Sequence, residues 1–271
     1  MPESLLTSRR NPLVLQLRAL HQAGGRRQQG LLLLEGTHLM QEALRLQLRP
    51  GVVLATPRWL ERHPALVAAL PAGVAVRLAH DDVLAAAATT QHPDGVLLTV
   101  PLPPPPPAPL ASHFVLALDR LQDPGNLGTL LRTALAAGVD QVWLADGADP
   151  YQPKVLRASA GAALALPLWR LSSEGLVEQL RQARACGLQV AAAIAAGGRP
   201  YWQLNWRAPT LLLLGNEGAG LAEPLQALAD AAVTIPHAPA VESLNVAVAA
   251  APLLLERWRQ LQGGAAIDTP G

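Results

Sequence analysis

Apolar and polar positions fall into short, continuous hydrophobic runs that alternate with stretches of helical periodicity. Leu31 to Leu34, Val52 to Ala55, Val74 to Leu78 and Gly95 to Val100 read as strands. Between them the spacing predicts a helix over Thr37 to Leu48, capped near Gly36 and Thr37. A second covers Pro57 to Leu70, interrupted by Pro64, and an Ala-rich third lies around Asp82 to Ala88. Farther on, Phe114 to Leu118, Gln141 to Ala145, Leu188 to Ile194, Leu211 to Leu214 and Val233 to Ile235 are strands. Asp123 and Pro124 open a helix that runs through Ala137 and stops at Gly138. Pro153 to Gly161, Glu174 to Cys186 and Ser243 to Gln262 are further helices, with Ser243 as N-cap of the last. Continuous hydrophobic strands alternating with helices imply an α/β fold whose mostly parallel sheet is buried on both faces.

Pro101 to Pro109 reads PLPPPPPAP. Its locked φ angles and scarce N–H donors favour polyproline II and exclude helix or inner strand. The expected organisation is a small α/β domain over 1–100, a proline-rich linker over 101–110, a larger α/β domain over 111–263 and a disordered tail over 264–271.

Half of the 271 residues are hydrophobic but only 3% are aromatic, so Leu, Ala and Val must build the core. The apolar runs are far too short to span a bilayer, and MPESLLTSRR holds no apolar stretch of signal-peptide type. The expectation is a cytoplasmic protein with no membrane partner. Cys186 stands alone, which excludes an intrachain disulfide and a cysteine metal cluster. The seven histidines have no paired metal spacing, so no metal is expected. Net charge is only +1, yet residues 1–62 hold nine Arg against four Glu. Arg suits bidentate phosphate contacts, although a GC-rich coding bias also produces an Arg excess.

In such sheets ligands bind beyond the carboxyl ends of the strands. Three polar, Gly-rich segments lie there. The first runs from Asp119 to Arg132 and carries Gly125, Asn126 and Gly128 at a helix start. It reads either as an anion site or as a strand-to-helix turn with a capping Asp and a surface Arg. The second, Leu211 to Gly220, ends a strand in Gly215-Asn-Glu-Gly. It is neither GxGxxG nor a P-loop, which disfavours a dinucleotide or nucleoside triphosphate site. Glu217 there is either functional or a capping carboxylate. The third, Thr234 to Ala250, passes through Ile235, Pro236 and His237 to Ser243-Leu-Asn-Val, where Asn245 is a mediocre helix former for a first turn. Ser159 lacks the Gly-x-Ser-x-Gly elbow of hydrolases.

Together the three segments resemble the signature motifs of the SpoU/TrmH family of RNA 2′-O-methyltransferases. Asn126, Gly128 and Arg132 match its Asn-x-Gly-x-x-x-Arg pattern, Gly215 to Gly218 its Gly-Asn-Glu-Gly loop, and Ser243 to Val246 its Ser-Leu-Asn-Val helix start. Each motif alone is a weak signal, and the three in this order are specific. The stretch from Lys154 to Ala162 is also similar, and the match covers about residues 112–260. Leu34-Glu-Gly-Thr-His and the helix after it look like the ribosomal-protein-like substrate-binding domain of many relatives. The family pattern often has Met-x-Gly after Ile-Pro, where this chain has His237-Ala-Pro239, and Pro252 interrupts the last predicted helix.

The resemblance implies a SPOUT fold with a carboxyl-terminal trefoil knot, a homodimer, and S-adenosylmethionine as cofactor. It assigns Gly215, Ile235 and Leu244 to the cofactor and Asn126, Arg132, Glu217, Ser243 and Asn245 to the catalytic surroundings. The implied reaction is methylation of a ribose 2′-hydroxyl in structured RNA, ribosomal in preference to transfer RNA. Arg132 is read as a phosphate clamp, with a phosphate oxygen or Glu217 taking the proton. The competing reading is an inactive RNA-binding or ribosome-assembly protein on the same fold; another is a transfer RNA methyltransferase.

Overall fold

A computed structural model describes residues 5–106 and 112–263. The expected tail over 264–271 and residues 107–111 of the expected linker lie outside the described residues. The chain opens with α1 (Pro12–Ala19), α2 (Ala23–Gln29), β1 (Leu31–Glu35), α3 (Thr37–Arg45) and β2 (Val52–Ala55). It continues with α4 (Pro57–Arg62), α5 (Pro64–Ala68), β3 (Ala75–Leu78), α6 (Asp81–Ala87) and β4 (Val96–Pro101). After these come β5 (Phe114–Asp119), α7 (Pro124–Ala136), β6 (Gln141–Ala145), α8 (Pro153–Ala158), α9 (Ala162–Ala165), β7 (Leu168–Leu171) and α10 (Ser173–Ala185). Last are β8 (Gln189–Ala193), β9 (Arg199–Pro200), β10 (Thr210–Leu214), α11 (Glu223–Gln226), β11 (Ala231–Thr234) and α12 (Val246–Gln262).

By contact the described residues form two compact units, those within 1–104 and 149–165, and those within 105–148 and 166–271. The first holds a four-stranded sheet in the order β1-β4-β2-β3, with only β2 and β3 parallel. Its core joins Val14, Leu17 and Leu20 around α1 to Leu33, Leu54, Val83 and Leu97. Pro101 closes β4, contrary to the expectation that the proline run begins outside the sheet. At this position β4 pairs only with Leu31, because its pairing with β2 ends at Leu98, so no ladder bond is missed.

Glu35, at the end of β1, is buried in this unit. Its carboxylate accepts from Thr89 N (3.2 Å) and Oγ1 (2.7 Å), Thr90 N (2.9 Å) and Oγ1, and Arg157 Nη1 of α8 (2.9 Å). Burial pushes its pKa up, but the Thr90 and Thr89 hydrogen bonds outweigh burial and hold it below the usual range.

The second unit is a seven-stranded, wholly parallel sheet in the order β7-β6-β5-β10-β8-β11-β9. On one face Val115, Ala117, Leu211 and Leu213 pack against Leu176 and Leu180 of α10. The alternate residues Leu116, Leu118, Leu212 and Leu214 are buried as well, which is why these strands read as unbroken apolar runs. In the same unit α7 packs with α12. The last helix starts later than expected. Its N-cap is Asn245, whose Oδ1 accepts from Ala247 N (2.9 Å) and Val248 N (3.3 Å), and Ser243 lies outside it. A side chain that competes with helix inside a turn is favoured at this boundary position. Pro252 is carried inside α12 without ending it. No helix of the described residues is long and apolar enough to cross a membrane, and among them no group of three His, Cys, Asp or Glu could hold a metal.

A depressed carboxylate contributes stability that is complete above the unfolded pKa and is lost as pH falls through the folded one. Urea unfolding should therefore show a stability drop between about pH 5 and pH 2. Glu35→Gln should flatten that drop and lower stability at neutral pH by about 2 kcal/mol, because the Arg157 guanidinium loses its counter-charge.

Candidate active site

Parallel strands bring their carboxyl ends to one edge of the sheet. There β5, β8, β10 and β11 release the segments 119–126, 193–195, 215–220 and 235–245. Segments from all four strands surround a cavity of ≈ 530 Å³, lined by Asn126, by Ala193 to Ala195, by the whole run Gly215 to Gly220, and by the loop into α12. This volume is within the range of about 300–1,000 Å³ usual for small-molecule sites. Leu214, Ile235, Leu244 and Leu253 give it an apolar wall, and Glu217, Glu242, Ser243 and Asn245 give it polar groups.

The polar groups are tied together. Asp123 is the N-cap of α7 and accepts from Asn126 N at 2.7 Å. Glu217, from the loop after β10, accepts from Asp123 N (3.1 Å), Gln122 N (3.2 Å) and Asn126 Nδ2 (3.3 Å). Asn126 Oδ1 in turn accepts from Asn245 Nδ2 at 3.1 Å. One carboxylate, one amide and one helix cap thus join three segments far apart in sequence. Burial acts to raise the Glu217 pKa, but its hydrogen bonds to N–H groups of its own residue, Asp123, Gln122 and the Asn126 amide prevail and lower it.

Gly215 has a structural reason to be glycine. A Cβ there would lie 2.2 Å from Gly220 C and 2.3 Å from Leu221 N, so its own loop needs the space. Asn216 closes that loop: its N–H donates to Gly220 O and its carbonyl accepts from Gly220 N, both at 3.0 Å. The loop into α12 is held by His237, whose Nδ1 lies 2.7 Å from Ile235 O and whose Nε2 lies 3.1 Å from Val241 O.

Residues 113–255 match the family model of the SpoU rRNA methylases. The chain belongs to that family. Residues 11–98 match the MRM3-like substrate binding domain. Among curated relatives, an uncharacterized tRNA/rRNA methyltransferase of Synechocystis is 46% identical over 98% of this chain and 96% of its own length. The Bacillus subtilis 23S rRNA (guanosine(2553)-2′-O)-methyltransferase is 34% identical over 92% and 97%. Among solved structures, an AdoMet-bound rRNA methyltransferase from Sinorhizobium meliloti superposes with a TM-score of 0.81 at 33% identity, covering 95% of this chain and 98% of that one.

Of the residues that the SpoU motifs single out, Asn126, Gly215, Glu217, Ile235, Ser243, Leu244 and Asn245 surround this cavity. Arg132 does not line it. It is exposed on α7 and, among the described residues, makes no hydrogen bond or ion pair. Sequence reasoning missed Asn216 and His237, and it missed the end of β8, where Ala193, Ile194 and Ala195 carry no chemical signal beyond their place after a strand. Asn216 lay inside the quoted motif, and only the loop's closure shows what it does.

Asn245 serves two partners, and substitution separates them. Asn245→Ala should lower unfolding stability by about 1 kcal/mol through loss of the cap. Asn245→Ser should keep the cap, recover most of that loss in a denaturant titration, and still lack the bond to Asn126.

Proposed function

We propose that this chain is an S-adenosylmethionine-dependent methyltransferase that acts on a ribose 2′-hydroxyl of ribosomal RNA. The observation that carries the reading is the convergence of all three SpoU motifs on one cavity of nucleoside size. The relatives support the substrate: the Bacillus subtilis enzyme is named for 2′-O methylation of 23S rRNA, and the Sinorhizobium rRNA methyltransferase binds AdoMet. The first unit, with its match to a substrate binding domain and its Arg-rich sequence, takes the role of RNA holder. A cytoplasmic location goes with this reading.

When bound, S-adenosylmethionine supplies an activated methyl group on a sulfonium. Gly215, Ile235 and Leu244 would hold it in the cavity they line. Asn126, Ser243 and Asn245 present the amide and hydroxyl groups that orient the sugar, and orientation alone removes several kcal/mol of barrier. Glu217 is a poor base, since three N–H groups on Gln122, Asp123 and Asn126 and a lowered pKa stabilise its charged form. Its task is to hold the site together. A hydroxyl oxygen becomes strongly acidic as it is alkylated, so a phosphate oxygen of the RNA is a sufficient acceptor. A guanidinium stays protonated in proteins, and Arg132, exposed on α7, is the group that clamps that phosphate.

The reading includes a homodimer and the knotted chain path of the family. Val248, Leu255 and Trp258 are 61%, 44% and 52% exposed along α12, and Leu135 of α7 is 38% exposed. This apolar band on two packed helices is what a second copy covers.

Ribose methylation mapped across ribosomal RNA, from cells with the wild-type chain, with none and with Arg132→Ala, should show one site present only with wild type. Purified Arg132→Ala should lose about 10²-fold or more in turnover while binding S-adenosylmethionine normally, and Arg132→Lys should recover part of the loss. Near-normal turnover of Arg132→Ala would remove the clamp from this account. Sedimentation should find a dimer that Trp258→Glu shifts to monomer.

A further inference from the structure

Nothing above gives a role to the two residues at which β5 ends. Asp119 is 1% exposed and charged. Arg120 has φ 53°, the left-handed region that a non-glycine residue rarely adopts. Neither residue lines the cavity. Such strain persists only where the surroundings enforce it, and here they do. The Arg120 N–H continues the sheet by donating to Ala145 O of β6 at 2.8 Å. The left-handed turn then directs its carbonyl to the other neighbour. There it accepts from Asn216 Nδ2 at 2.8 Å, and from Gln122 Nε2 at 3.3 Å. Asn216 Oδ1, oriented by that bond, accepts from Gly218 N (2.9 Å) and Ala219 N (3.0 Å).

The carboxylate of Asp119 holds the far end of the same loop. Its Oδ2 accepts from Ala222 N at 3.2 Å. Its two oxygens also pair with Arg120 Nε (2.9 Å) and Nη2 (3.0 Å), which neutralises a charge that would otherwise be buried alone. Two consecutive residues therefore grip the chain at 216 and at 222, and every residue from Gly215 to Gly220 lines the cavity.

We propose that Asp119 and Arg120 are positioning residues that clasp the Gly215–Gly220 loop in the shape that receives S-adenosylmethionine. Arg120 acts through its backbone carbonyl and Asp119 through its carboxylate. This rests on the reading that the cavity is the cofactor site. The clasp predicts a division of effects: loosening it weakens the cofactor and leaves RNA binding alone.

The test is calorimetric titration of the full chain with S-adenosylmethionine, beside steady-state kinetics on RNA. Asp119→Ala should raise the Kd and the KM for S-adenosylmethionine about tenfold or more with the KM for RNA unchanged. Arg120→Val, β-branched and strained at this φ, should do the same. Arg120→Gly, which adopts the turn freely but like the valine leaves Asp119 without its counter-charge, should bind S-adenosylmethionine at least about threefold more tightly than Arg120→Val. A folded Asp119→Ala that binds as wild type does would overturn the clasp. If Asp119→Ala does not fold, the two Arg120 variants decide, and equal affinities for them overturn it. Leu244→Glu, on the cavity wall and away from the clasp, separates the two claims. If it binds S-adenosylmethionine normally, the cavity is not the cofactor site. If it loses binding while the clasp variants keep theirs, the cavity stands and the clasp falls.

Discussion

Glu217 lies where Gln122 and Asp123 point their N–H groups and Asn126 points its amide. A helix start leaves N–H groups without partners, and at α7 a charge from a neighbouring strand's loop supplies two more acceptors beside the Asp123 cap. That charge also sets a direction. A carboxylate only accepts, so the Asn126 amide must turn its Nδ2 toward Glu217 and its Oδ1 away. The oxygen then faces Asn245 Nδ2, which leaves Asn245 Oδ1 for the first N–H groups of α12. Donor and acceptor alternate without conflict from one carboxylate to the start of the last helix.

The all-parallel sheet is the reason these groups meet. Its strands begin at one edge and end at the other, so segments about a hundred residues apart leave the sheet side by side. Burial on both faces demands apolar strands, and the polar chemistry is pushed to the ends, where backbone groups need partners anyway. The tight loop after β10 is a consequence: Leu214 is buried, Gly215 is crowded by its own backbone, and Asn216 begins the turn.

Much of this was legible in the sequence, for reasons that follow from that arrangement. Unbroken runs such as Leu211 to Leu214 signal strands buried on both sides, and Asp123-Pro124 signals a helix start. Three motifs marked the cavity wall. What stayed hidden was decided by tertiary contact. The α2 helix, with two glycines and four polar residues, has no apolar stripe to read, and it buries Arg26 instead. β7 is short, runs from buried Leu168 to exposed Arg170, and lies at the sheet's edge. Ser243 and Asn245 are equally good caps on paper, and the bond that Asn245 Nδ2 donates to Asn126 Oδ1 favours the second. The left-handed turn at Arg120 had no glycine to announce it.

The first unit is not continuous in sequence, since residues 149–165 belong to it. Arg26 and Asp149 pair at 2.5 Å, Arg157 meets Glu35, and the spot where a Gly161 Cβ would sit is filled by Glu42. During synthesis, residues 5–104 therefore leave the ribosome before Asp149 and Arg157, the ion-pair partners of Arg26 and Glu35, are made. Those two ion pairs form only once some sixty further residues have emerged. Completion of the amino-terminal unit is thus timed by translation of the methyltransferase segment, and a nascent chain stalled before that point holds an incomplete substrate-binding domain.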